Sequence, residues 1–192
     1  MAVIGLVVFL TACAGPSLRY KRSLHKTIAS AKYDKAIKKI EDNKHKEYGE
    51  KNALLYYLDI GLAYHDANDY PQSEKYFDEA ELIYDDLQTK SISRGLGTLL
   101  INDATTKYFS PAYEKVLLHV FRALNYAYDD NLQEALVEVR KLMNFLTALR
   151  DRYGGRSGIY KDDALAQYLS ALLYSDFKQF DDARISLEDA QR

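Results

Sequence analysis

The residues from Leu54 to Ala80 combine small and large side chains in a pattern that strongly restricts the fold. They read LLYYLDIGLAYHDANDYPQSEKYFDEA. Gly61 and Ser73 are small enough to let two helices approach closely. Three large side chains at helical spacing are placed to fill the gaps around them: Tyr57, Tyr64 and Phe77. We therefore predict two antiparallel helices with a turn between residues 67 and 70.

The chain has helical periodicity throughout the region after Leu18. Between residues 132 and 149 the apolar positions are three or four apart, which places them on one helix face. Three prolines and nine glycines are too few for a turn-rich β protein. Helix breaks are predicted near residues 30–33, 45–50, 67–70, 108–111, 129–131 and 153–158. Pro71 belongs in a first helical turn, where proline has no hydrogen bond to lose.

The stretch that begins at Leu54 resembles a tetratricopeptide repeat, a 34-residue helix–turn–helix unit. Large residues are typical at positions 4, 11 and 24 of that family, and small ones at positions 8, 20 and 27. Two further units count from Val116 and Ala164, and a fainter one contains Ala36 and Ile40. The unit from Val116 departs from the pattern, with His119 at position 4.

The resemblance implies an all-α fold, an α-α superhelix of tetratricopeptide-like helix pairs. Gly61, Ala123 and Ala171 occupy equivalent positions but are 62 and 48 residues apart, so we predict inserted helices, the first within residues 88–111. The helical domain is expected to span residues 18–192, with units at about 20–50, 54–87, 116–149 and 164–192. The last unit lacks a cap helix, which predicts that the chain is a fragment or caps itself by self-association.

The N-terminus carries a second signal. Its first ten residues, MAVIGLVVFL, are apolar and too few to span a bilayer. The order Leu10, Thr11, Ala12, Cys13 resembles the lipobox of bacterial lipoproteins. That resemblance implies a signal peptide at residues 1–12, a lipid on Cys13, and a short tether at 13–17. The chain departs from the family in having no Lys or Arg before the apolar run; the alternative is a buried helix start with a packing cysteine.

As a whole the chain is similar to poorly characterised bacterial outer-membrane lipoproteins with tetratricopeptide repeats. The segments YYLDIGLAYHDANDYPQSEKYF and EALVEVRKL carry this resemblance, together with the segment SISRGLGTLLINDATTKYFSPAYEKVLLHVFRALNY between them. Alanine after Cys13 resembles the outer-membrane default of Gram-negative lipoproteins. The resemblance implies an envelope scaffold that faces the periplasm, and it supplies no established activity.

The charge is unevenly distributed. Residues 17–51 carry a net charge of +6 and residues 52–192 a net charge of −8. The basic stretch predicts either contact with anionic headgroups or a solvated helix face. Nucleic acid is not expected as a partner, because the basic residues occur without glycine-rich or aromatic-rich readout motifs.

No catalytic constellation is found, so we predict a protein that is not an enzyme and has no cofactor or metal. The four histidines share no metal-ligand spacing. His65 is expected to face solvent at a helix end. Glu138 and Arg140 are two residues apart and cannot share a helix face. Either is predicted to form a structural ion pair with the neighbouring helix, for instance with Arg122 or Glu114, and the alternative is a functional contact.

Partner binding is predicted on the concave face that first helices line in this repeat family. The positions expected there are apolar or aromatic: Leu58, Leu62, Val120, Leu124, Tyr168 and Leu172, together with Leu55, Leu117 and Leu165. Either the chain covers this strip itself, or it accepts a partner's apolar helix or peptide. The function expected is a scaffold for envelope proteins or peptides. One alternative is an accessory region of a larger envelope enzyme, and a weaker one is a lipoprotein that binds a small ligand.

Overall fold

The computed structural model describes residues 16–93, 108, 110–153 and 164–191. Every regular element in these ranges is helical, which confirms the all-α prediction. The described α-helices are α1 (Leu18–Ala29), α2 (Tyr33–Asp42), α3 (Ala53–Asp66), α4 (Tyr70–Ser93), α5 (Ala112–Tyr128), α6 (Leu132–Tyr153), α7 (Ala164–Asp176) and α8 (Phe180–Ala190). The segment between α2 and α3 stays helical, as a π-helical turn (Lys44–Tyr48) and a 3-10 turn (Glu50–Asn52).

Consecutive helices form four pairs: α1/α2, α3/α4, α5/α6 and α7/α8. The second helix of each pair packs against the first helix of the next, and α3, α5 and α7 also follow one another in contact. The result is the predicted α-α superhelix. The predicted inserted helix lies largely outside the described residues, although its first part, to Ser93, belongs to α4. The predicted signal peptide and Cys13 also lie outside them.

The turns within the four pairs share one conformation. Each has three residues, and the central one has a left-handed backbone, with φ between 53° and 60°: Ala31, Asn68, Asp130 and Lys178. In each turn the next amide donates to a carbonyl five residues earlier, for example Asp69 N to Tyr64 O at 3.0 Å. This bond satisfies a carbonyl left over at the helix end. Pro71 lies in the first turn of α4, as predicted, and the Asp69 carboxylate caps that turn by accepting from Gln72 N.

The close approach of α3 and α4 depends on Gly61 and Ser73. A Cβ at Gly61 would lie 2.6 Å from two ring carbons of Phe77, which is 2% exposed. The Ser73 hydroxyl donates to the Gly61 carbonyl at 2.8 Å and so joins the two helices at the same point. These contacts confirm the small-against-large packing predicted from the sequence.

Tyrosines fill the interface between the first two pairs. The rings of Tyr20, Tyr48 and Tyr56 meet edge to face, with centroids 5.8 and 5.5 Å apart. The Tyr48 hydroxyl donates to Asp59 Oδ2 at 2.7 Å. Burial raises the pKa of Asp59 to about 6, although this hydrogen bond works in the opposite direction. The tyrosine hydroxyl groups thus allow a titratable carboxyl group, that of Asp59, to lie in the interface with a hydrogen-bond partner.

No helix in the described ranges is long and apolar enough to cross a membrane.

Candidate functional site

The predicted apolar strip is covered where it crosses α3. Leu58 and Leu62 are half-buried, and they belong to the same apolar cluster as Leu118 and Phe121 of α5. The next pair therefore covers this part of the strip, as one of the two sequence interpretations expected.

The strip is covered in part where it crosses α5, since Leu117 is 37% exposed there but the next two strip positions are not. Val120 is 5% exposed and Leu124 is half-buried, and both pack in a cluster that includes Ala166 and Leu169 of α7. At these positions of α3 and α5 the chain therefore covers the strip itself, because the next first helix packs over them. Val120 is a core residue in this structure and offers no surface to a partner.

The last pair is different, because its equivalent positions are exposed. Tyr168 and Leu172 of α7 are each 49% exposed, and Leu165, one turn earlier, is 56% exposed. In α8, Leu187 is 41% exposed, whereas Phe77 and Val139 at the same repeat position are 2% and 1% exposed. We call Leu165, Tyr168, Leu172 and Leu187 the end face. In the earlier pairs the positions equivalent to Tyr168, Leu172 and Leu187 are buried or half-buried, whereas Leu117, equivalent to Leu165, is 37% exposed.

A cluster of charges around the buried Arg122, here called the Arg122 network, joins α4, α5 and α6. The Arg122 side chain is 4% exposed and donates to Glu74 Oε2 at 2.9 Å. It also donates to Asp78 and Glu81, and it lies 3.6 Å from Glu138 Oε1. The three acidic residues of α4 are spaced four and three apart, so they share one helix face toward Arg122.

Glu138 occupies the α6 side of the network. Its Oε2 is 2.7 Å from His119 Nδ1, and its Oε1 accepts from Lys141 at 3.0 Å. Burial alone would raise the pKa of Glu138, but the hydrogen bond from His119 and the charge of Arg122 hold it below its usual range. The predicted pairing of Glu138 with Arg122 is thus confirmed. Arg140 is exposed.

On the α4 side of the network the carboxyl pKa shifts in the opposite direction. Burial raises the pKa of Glu74 and outweighs the charge of Arg122 beside it. The Glu74 carboxylate also accepts from Asn125 Nδ2 at 2.7 Å, and the same amide group donates to Ser73 Oγ at 2.9 Å. The network therefore reaches the point where α3 and α4 are in closest contact.

His65 extends the polar chain to α3, and the expectation that it faces solvent is wrong. The residue is half-buried because α5 packs beside the end of α3. Its Nδ1 lies 2.5 Å from Asn125 Oδ1, and its ring centroid lies 5.0 Å from that of Phe121.

Within the described residues, one group could hold a metal ion: Glu81, His119 and Glu138 place ligand atoms within 4.8 Å of one another. The arrangement divides the carboxylate oxygens. Glu81 Oε2 and Glu138 Oε1 face Arg122 and Lys141, while Glu81 Oε1 and Glu138 Oε2 face the two nitrogens of His119, at 3.9 and 2.7 Å. Because both carboxylates already have cationic partners, the chemistry of the group is that of a structural ion-pair network.

The sequence interpretation missed most of this network. The acidic spacing at Glu74, Asp78 and Glu81 was available, as was the departure of His119 from a position that is large and apolar or aromatic in the repeat family. The sequence does not indicate which face of α4 packs against α5.

No protein family, curated protein or solved structure matched this chain when it was compared with each. The class that the fold defines is an all-α protein of repeated helix pairs.

Proposed function

We propose that this protein is a non-enzymatic scaffold of the bacterial envelope that binds a helix of a partner protein on its end face. The observation that carries the proposal is the exposure of Leu187, Tyr168 and Leu172 at positions that the following pair covers elsewhere. Exposed apolar area of this kind is a common site of protein association.

The two internal interfaces indicate what would fit there. On α5 the residues that cover α3 are Leu118 and Phe121, three positions apart. On α7 the residues that cover α5 are Ala166 and Leu169, again three apart. The occupant we propose is therefore an amphipathic helix with apolar side chains at i and i+3, which is a recurrent mode of recognition.

The membrane tether is part of the proposal. The order Leu10, Thr11, Ala12, Cys13 supports lipidation of Cys13 and a position on the outer membrane, facing the periplasm. Helix α1 begins at Leu18, where Ser17 accepts from Tyr20 N as the N-cap, so few residues separate the proposed lipid from the helical domain.

The end face can be tested by photocrosslinking in intact cells. A photoreactive phenylalanine analogue at Tyr168 or Leu172 should give discrete adducts, and mass spectrometry should map them to a helix with apolar residues at i and i+3. The control position is Leu82, which is 66% exposed on α4 and lies outside the end face. Equal adducts from all three positions, or none from Tyr168 and Leu172, would contradict the proposal.

The tether has its own test. The N-terminal peptide of the membrane-extracted protein should begin at Cys13 and carry acyl mass, and the Cys13→Ala variant should stay unprocessed. If the protein with Cys13 retains residues 1–12 and carries no lipid, the tether is excluded, and the proposal for the end face is unaffected.

A further inference from the structure

A groove of about 590 Å³ lies between α1 and α2, at the opposite end of the array from the end face. Its lining contains five lysines and one acidic residue, Asp42; the lysines are Lys26, Lys32, Lys35, Lys38 and Lys39. We call it the lysine groove. Its volume is within the range of sites that hold small ligands.

Two complementary stripes form the lysine groove. On α1 the lining residues Ser23, Thr27 and Ser30 are short, which leaves space in front of them. Four of the lysines come from α2 or its N-cap; Lys32, Lys35 and Lys38 are spaced three apart and so follow one side of that helix, and Lys39 lies next to Lys38. Ala36 and Ile40 of α2 are fully buried, so the lysine side is distinct from the packing side.

The charge of the groove is largely uncompensated by its own lining. Asp42 lies 4.0 Å from Lys38, and both side chains are well exposed, so this pair is weak. Lys39 donates to the Ser23 hydroxyl, which is neutral. Lysines three and four apart on a helix repel one another, so the stripe is unfavourable for α2 by itself.

Two of the three hydroxyl groups that line the groove donate to carbonyl groups of their own helix. Thr27 Oγ1 donates to Ser23 O, and Ser30 Oγ donates to Lys26 O, each within α1. Most of the donors that line the groove are therefore ammonium groups, which bind phosphate oxygens as point charges.

We infer that the lysine groove binds a phosphate-bearing anion, held by the ammonium groups of Lys32, Lys35 and Lys38 with Lys26 and Lys39. A phospholipid headgroup and a free polyphosphate present the same chemistry. This inference is separate from the proposed end face and does not require the lipid on Cys13.

The test uses the full chain with Cys13→Ser, so that no lipid is attached, made by cell-free synthesis in the presence of vesicles. Flotation compares pure phosphatidylcholine vesicles with vesicles that contain 30 mol% phosphatidylglycerol. Free phosphate chemistry is probed by the shift in melting temperature with inositol hexakisphosphate.

The variant is Lys35→Gln/Lys38→Gln, and its control is Lys75→Gln/Lys178→Gln. All four lysines are exposed, and both double variants remove two positive charges. The affinity of the groove variant for the phosphatidylglycerol vesicles should be roughly 30-fold lower than that of the protein without these substitutions, while the control variant should keep its affinity. Raising the salt to about 1 M should abolish the effect.

The outcomes separate the two sources. Binding to phosphatidylglycerol alone supports a headgroup, whereas a groove-dependent thermal shift with inositol hexakisphosphate alone supports a free anion. Equal loss in both double variants would show a net-charge effect and overturn the inference, as would the absence of any response to either probe.

Discussion

Replacing Arg122 with methionine should destabilise the protein by about 3–5 kcal/mol, the usual cost of breaking a buried ion pair by removing one partner. Arg122 faces four carboxylates at once. Three of these, on Glu74, Glu81 and Glu138, have side chains that are 12%, 18% and 3% exposed. Methionine keeps the packing volume of the stem but leaves those charges without their main partner.

The fourth carboxylate adds little to this estimate. Asp78 is 59% exposed, so water screens its interaction with Arg122. Lys141 remains close to Glu81 and Glu138 and limits the loss. For a chain of this length, the expected destabilisation corresponds to a fall in melting temperature of about 6–20 °C.

The assay is urea and thermal unfolding followed by circular dichroism at several pH values. The matched control is Arg140→Met on the exposed side of α6, which should change the free energy of unfolding by no more than about 0.5 kcal/mol. Arg122 lowers the pKa values of the Glu74 and Glu138 carboxyl groups, so in the Arg122 variant both pKa values should rise. The two carboxyl groups then take up protons in the folded state, and the penalty shrinks as the pH falls from 7 toward 4.

A loss below about 1 kcal/mol at pH 7 would refute the reasoning, since it would mean that the carboxylates do not need Arg122. A penalty that grows as the pH falls would refute it as well, because the sign of the linkage would be reversed.

Two further perturbations test the packing and the tyrosine interface. Gly61→Ala should destabilise the protein by about 1 kcal/mol, because the clash with Phe77 exceeds the gain in helix propensity. Adding Phe77→Leu should partly restore the melting temperature of this variant. An unchanged melting temperature in the single variant would contradict the prediction. Asp59 has its pKa raised from 3.8 to about 6, so the folded state keeps a proton that the unfolded state loses, and stability should fall as the pH rises across that window. Asp59→Asn should remove this slope from urea midpoints measured at pH 4, 5, 6 and 7, and identical profiles would exclude Asp59 as its source.

Much of the fold was predictable because local spacing determines it. Pro71 after Asn68 and Asp69 marked the start of α4, and the small residues Gly61 and Ser73 marked the contact between α3 and α4. The left-handed turns were harder to recognise, since none of their central residues is glycine. The segment at 45–50 was predicted as a break but continues as π- and 3-10-helical turns, with Gly49 in a left-handed backbone.

The sites were less predictable because they depend on how one pair is rotated against the next. Val120 and Tyr168 have the same repeat position and similar apolar character, yet one is buried and the other exposed. Only the order of the pairs in space decides this. Glu81 and His119 lie on different helices, and no spacing within the chain brings them together.

The Arg122 network also has a consequence for how the protein folds. Its charges are compensated only when α4, α5 and α6 are all in place. If either the second or the third pair unfolds alone, the pair that stays folded retains buried charges without partners. The second and third pairs should therefore fold and unfold as one cooperative block, whereas repeat arrays commonly open one unit at a time. In native-state hydrogen exchange, amides of these three helices would share one opening free energy. The last pair packs on this block through an apolar cluster that contains Leu173 and Tyr174, so it can open separately. Binding at the end face can therefore change the opening of the last pair while the central block stays folded.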